Sequence, residues 1–152
     1  MTIEEQQHIK EKGYGQAMRY IANATEALKK AGRDGRYFKD SKYVSSASGI
    51  AYKGVLVALD HWLSLKGVEV PKSALGKKSR KSIEFYRDNI ARLDKKLLKD
   101  LNGVYDALHL YGYYDGTLII GIVDEGFNIA SEIIERIKPA QAVTGTLTRR
   151  QK

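Results

Sequence analysis

SKYVSSASGIAYKGVLVALDHWLSLKG, residues Ser41 to Gly67, reads as one long helix with a stripe of small side chains. Ser45, Ala47, Ser48, Gly49, Ala51, Gly54 and Ala58 leave little between this backbone and whatever packs on it. Leu56, Leu59, Trp62, Leu63 and Leu65 load the second half with bulk, and Gly67 closes it. A helix that is apolar on several sides lies inside a protein. The stretch therefore marks the centre of a helical bundle, with Gly49 and Gly54 expected at the closest crossings.

The flanking sequence supplies the other helices. Thr2 with Glu5 forms a capping-box pattern that starts a first helix near Ile3. Tyr14, Ala17, Met18, Ile21, Ala24 and Leu28 give it an apolar stripe at spacings of three and four. Gly13 and Gly15 weaken the pattern locally, which places the firm start of the helix after Gly15. Ala31-Gly32 ends it, and Arg33-Asp34-Gly35-Arg36 reads as a turn. A loop from Val68 to Gly76 precedes a third helix, about Ser79 to Ala91, with Ile83, Tyr86 and Ile90 inward. Asp94 is a candidate cap for a fourth helix carrying Leu97, Leu98, Leu101, Val104, Tyr105 and Leu108. The alternative is one helix continuous through Leu93. Tyr111 to Gly116, YGYYDG, reads as the next break. The fifth helix spans Leu118 to Ile137. Its Ile and Val residues favour strand, but Asp124, Glu125, Glu132 and Glu135 return at helical spacing, and Pro139 stops it. The expected architecture is all-α, an antiparallel four- to five-helix bundle in residues 1–139, with a mobile or extended tail in residues 140–152.

Composition narrows the function classes. A chain of 152 residues fits one domain with a real core. Cysteine is absent, which removes disulfides, thiolate catalysis and Cys-based metal sites and fits a reducing compartment. The acidic, polar N-terminus is not a signal peptide. No apolar run approaches the roughly 18 residues that span a bilayer. These features predict a cytoplasmic protein without membrane contact. The formal charge is +8 and unevenly spread. Ten Lys and Arg against four acids lie between Lys72 and Asp100, while the last helix is acidic, so the bundle should have a basic and an acidic side.

The order of elements is familiar. Tyr43, Ala47, Ala51, Tyr52, Leu56, Ala58 and Leu59 close at Lys66-Gly67. A loop, a basic third helix, a fourth helix ending in tyrosines and Asp115, and a returning last helix follow. Across about Tyr14 to Ile137 this resembles the HEPN superfamily, more narrowly its uncharacterised HEPN-like bacterial domains. The resemblance implies a bundle fold, a tendency to dimerise, and a class often associated with nucleotides or RNA. Catalytic members are metal-independent RNases that use an Arg and a His a few residues apart on a late helix. The histidines here are His8, His61 and His109, and none has an Arg four to eight residues before it. No catalytic residue carries over, and a non-catalytic role is expected.

Residue patterns offer three candidate sites. The basic segment, Lys77, Lys78, Arg80, Lys81, Arg87, Lys95, Lys96 and Lys99, suits backbone phosphates of RNA or a nucleotide. Tyr37, Tyr86 and Tyr111 to Tyr114 are candidate stacking platforms. Against this, Arg80, Glu84, Asp88 and Arg92 follow one another at i,i+4, and a solvated face is the plainer reading. Tyr105, His109 and Tyr113 form a candidate pocket, Tyr105 sharing a helical face with His109. Asp60, adjacent to His61 in sequence, cannot orient it on a helix. No histidines have ligand spacing and no glycines form a phosphate loop, so neither metal nor cofactor is expected. Tyrosine is abundant, ten of 152 residues. Phe127, Ile129 and Ile134 are more apolar than one bundle stripe requires, which predicts a homodimer, with a protein partner also open. The leading expectation is a dimeric binding or accessory module; the alternative is RNA or nucleotide binding along residues 77–99.

Overall fold

The computed structural model describes residues 2–69 and 81–139, with residues 6–12 as main chain alone. The expected tail and Lys77, Lys78 and Arg80 lie outside the described residues. The elements in chain order are α1 (Ile3–Lys29), β1 (Arg33–Asp34), β2 (Tyr37–Phe38), α2 (Ser41–Leu65), α3 (Ile83–Ala91), α4 (Lys95–Val104), a π-helical segment (Tyr105–Tyr114) and α5 (Ile120–Ile137). The all-α bundle expected from the sequence is present, with one small β-ribbon added.

Local chemistry starts and stops these helices. Thr2 Oγ1 accepts from the Glu5 amide at 3.0 Å, and Glu5 Oε1 accepts from the Thr2 amide at 2.8 Å, completing the capping box. Helix α1 then runs unbroken through Gly13 and Gly15, contrary to the expected late start. Gly13 is needed there because the His61 ring fills the space a side chain would take. The Asp40 carboxylate caps α2 by accepting from the Lys42 amide at 2.9 Å. Its C-terminus is a Schellman turn: the Val68 amide donates to Leu63 and the Gly67 amide to Ser64, both at 3.0 Å, with Gly67 at φ +84°. Helices α3 and α4 are separate. Arg92 to Asp94 breaks them, and Asp94 accepts from the Leu97 amide at 3.0 Å. Arg136 of α5 binds the same carboxylate through two nitrogens, at 2.8 and 3.1 Å, tying the last helix to the start of α4.

Helices α1 and α2 form the most extensively packed pair. Ala17, Ile21 and Ala24 meet Ala51, Val55 and Ala58, and Leu59, Leu63, Leu97, Leu101 and Ile133 complete the core. Each such large aliphatic side chain contributes about 1.5–3 kcal/mol by leaving water. On α5, Ile134 is fully buried and Phe127 and Ile129 pack against this core. This core thus takes up part of the apolar excess on α5, with Phe127 and Ile129 left half-buried.

Two connections differ from their reading. Arg33 to Arg36 is the tip of a hairpin in which Arg33 pairs with Phe38 and Asp34 with Tyr37. The hairpin also joins the start of α5. Tyr37 bridges Ile119, the Phe38 amide donates to Leu118 at 2.8 Å, and the Ile120 amide donates to Arg36 at 3.1 Å. The YGYYDG stretch does not break the chain at Tyr111. The helix continues through Tyr114 in a wider winding, with the Asp115 amide donating five residues back to Leu110 at 3.0 Å, and turns at Gly116, φ +58°.

Candidate functional site

The wide winding of residues 105–114 is where the functional side chains gather. In an α-helix, residues three and four apart are neighbours. When bonds run five residues back, residues four and five apart share a face. His109 therefore meets Tyr105, Tyr113 and Tyr114 together. Its ring centroid lies 5.1 Å from Tyr105, 6.1 Å from Tyr113 and 5.0 Å from Tyr114. Tyr52 of α2 closes the set, stacked on His109 at 4.8 Å with 27° between planes. The Tyr113 and His109 planes differ by 11°.

Serines of α2 hold this segment in place. Ser41 Oγ donates to the Gly116 carbonyl at 2.8 Å, and Ser45 Oγ donates to the Tyr113 carbonyl at 2.6 Å. Ser48, fully buried, lies against Gly112, where a Cβ would collide with its side chain. Carbonyls at the end of a helix lack partners within it. Ser41 and Ser45 thus have a use besides close packing: their hydroxyls satisfy that end. A Cβ at Gly49 would lie 2.9 Å from Tyr113 Cδ1, so this glycine makes room for a ring.

A groove of about 440 Å³ opens beside His109. Tyr20 of α1 forms one wall, His109 and Tyr113 another, and Ser46, Gly49, Ile50, Lys53 and Leu56 of α2 the floor and rim. The α2 residues recur at spacings of three and four, so one helix face supplies them all. Burial lowers the His109 pKa below its ordinary 6.5, so the imidazole is neutral at pH 7 and can donate from one nitrogen and accept at the other. Burial, reinforced by Tyr105, pushes Tyr52 up to about 12, so it too is neutral. The Arg87 guanidinium sits 5.1 Å from the Tyr105 ring centroid.

Of the expected pocket residues, His109 and Tyr113 line the groove, and Tyr105 supports His109 from behind. The basic segment is partly engaged. Lys81 pairs with Asp60 at 3.6 Å and Lys96 with Asp100 at 2.8 Å. Arg87 donates to Asn102 at 2.8 Å and meets Glu84 at 3.7 Å. Arg92 reaches the main-chain carbonyl of Asp88 and the Asn89 side chain rather than the Asp88 carboxylate. Lys95 and Lys99 are exposed. Asp60 serves Tyr86, whose hydroxyl donates to it at 2.7 Å; burial, with this bond to Asp60, raises the Tyr86 pKa. Among the described residues no group of three or more His, Cys, Asp or Glu can hold a metal ion, and no helix is long and apolar enough to cross a membrane. The sequence reading missed Tyr20, Ser46, Gly49, Ile50, Tyr52, Lys53 and Leu56. The spacing on α2 was visible, but which α2 face met the tyrosines was not.

A family described as "Domain of unknown function (DUF5618)" matches residues 12–139, and the chain belongs to this family. A solved structure, a protein of unknown function from Dyadobacter fermentans, is 35% identical with a TM-score of 0.72, covering 85% of this chain and 95% of that one. No curated protein matches the chain.

Proposed function

We propose that this member of the DUF5618 family is a non-catalytic, HEPN-like binding module of the cytoplasm that works as a homodimer and holds its ligand in the His109 groove. The groove is the observation that carries the reading. It is a shallow, open groove whose volume falls in the roughly 300–1,000 Å³ range of small-molecule sites, and aromatic rings line it with few polar groups. His109 is packed among four tyrosine rings, an arrangement suited to holding a ring by stacking. Dimer formation draws on Tyr37, Tyr111, Tyr114, Leu118 and Ile119, large apolar side chains exposed on the segments around the ribbon. Clustered exposed apolar surface commonly marks an interaction site. The test is heteronuclear NMR of the full chain against a set of planar aromatic fragments. Shifts concentrated at Gly49, Lys53, His109 and Tyr113 support the reading; shifts elsewhere, or none, overturn it. Light scattering that finds a monomer at micromolar concentration removes the dimer.

RNA or nucleotide binding along residues 77–99 is a second reading. Exposed Lys95 and Lys99 favour it. Absence of single-stranded RNA binding even at low salt would end it, since phosphate contacts are strongest there.

A further inference from the structure

We infer that the His109 groove takes a planar aromatic anion, a flat ring carrying one carboxylate or phosphate. This rests on the groove reading above and names the chemistry of its ligand. The flat surface comes first. Tyr52, His109 and Tyr113 follow one another with nearly parallel planes, 27° apart for the first pair and 11° for the second. Their spacing loosens outward, from 4.8 Å between Tyr52 and His109 to 6.1 Å between His109 and Tyr113. All three residues line the groove, and a flat ring gains most by lying against an aromatic face. Ile50 and Leu56 provide an apolar floor beneath such a ring.

The sign of the charge comes second. A set of tyrosine rings alone would suit a cation. Among the described residues no acidic side chain lines the groove, and the charged group at its edge is Lys53. Arg87 already occupies the Tyr105 face, 5.1 Å from its centroid. Arg87 is paired with Glu84 there, so the charge presented to the groove is that of Lys53, which attracts an anion and repels a cation. Neutral His109 adds a donor and an acceptor in the plane of its ring, a match for the heteroatom edge of a heteroaromatic ligand. Ser46 places a hydroxyl on the same α2 face, two turns before Lys53, with Gly49 between them.

Carboxylate and phosphate present the same charge to Lys53, and two ligand pairs separate them. Calorimetric titrations compare indole carboxylate with indole carboxamide, and adenosine monophosphate with adenosine, on the full chain and on Lys53→Met. The anion should bind about five-fold tighter than its neutral partner in at least one pair, the size of an exposed charge pair. Lys53→Met should erase that preference, the anion losing about five-fold more affinity than its neutral partner. Added salt should narrow the preference in the parent. Equal affinities in both pairs, or a preference that survives Lys53→Met, overturn the anion assignment while the groove stands. Failure of all four compounds to bind removes the groove reading itself, and the assignment with it.

Discussion

Gly54 is the position at which the close packing of α1 on α2 is most directly testable. A Cβ built there lies 2.8 Å from Tyr20 Cβ, 3.2 Å from the Ala17 carbonyl oxygen and 3.4 Å from Ile21 Cδ1. The first is fixed to the α1 backbone and the second belongs to it, so neither can swing aside. Gly54→Ala therefore forces the two helices apart and loosens Ala17, Ile21, Ala51, Val55 and Ala58 along their shared face. Overpacking of this kind costs about 1–3 kcal/mol. Alanine returns about 1 kcal/mol through its better helix propensity. The net expectation is a loss of about 1 kcal/mol. Gly15→Ala is the internal control, because it makes the same chemical change on the same helix pair with nothing within 4 Å of the new Cβ. It should gain about 0.5–1 kcal/mol. Urea unfolding followed by far-UV circular dichroism measures both against the parent. A Gly54→Ala variant as stable as Gly15→Ala would refute the placement of these two helices.

Three further outcomes follow from the same geometry. Ser45→Ala removes the 2.6 Å bond to the Tyr113 carbonyl and should cost about 0.5–1.5 kcal/mol in thermal or urea unfolding; an unchanged midpoint would show that the serines do not hold the wide helix. His109 should titrate in NMR below 6.5, and because its folded pKa is the lower one, it subtracts stability as pH falls through 6.5 toward the folded value; a midpoint at or above 6.5 contradicts a desolvated ring. Asp94→Ala should cost about 1 kcal/mol at neutral pH through the lost cap. Arg136 holds the Asp94 pKa below 3.8, so the parent's advantage is present above 3.8 and fades as pH falls through the folded value; an advantage unchanged at low pH would sink this account.

Much of the bundle is legible in the sequence, and for identifiable reasons. The Thr2–Glu5 box, the Gly32 and Gly67 terminators and the Asp94 cap are chemistry within a few residues, so spacing alone reveals them. The stripe at Ala47, Ala51, Val55 and Ala58 shows a helix with close neighbours because burial repeats with the helical period. The wide helix is invisible to that reasoning. YGYYDG has the composition of a turn, and what keeps it helical is the serine hydroxyls of α2, which lie some 67 to 75 residues away in the chain. The ribbon is hidden for the same reason, since Tyr37 finds its partner in Ile119. The pocket was half visible. His109 and Tyr113 belong to one short segment, whereas Lys53 and Tyr20 reach it only through the packing of three helices. The apolar surplus on α5 shows in the sequence how much that helix must bury but not which neighbour covers it.

The ribbon also bears on how the bundle opens. Helices α1 and α2 are adjacent in the chain and can pair early, because closing a short loop is cheap. The bonds of Phe38 to Leu118 and of Ile120 to Arg36 wait for α5, more than 75 residues on. These two amides, one in β2 and one at the first residue of α5, are bonded across the two halves of the chain. Their hydrogens should exchange with solvent as slowly as those of the helices they join, so that the hairpin tip reports the lifetime of the whole assembly.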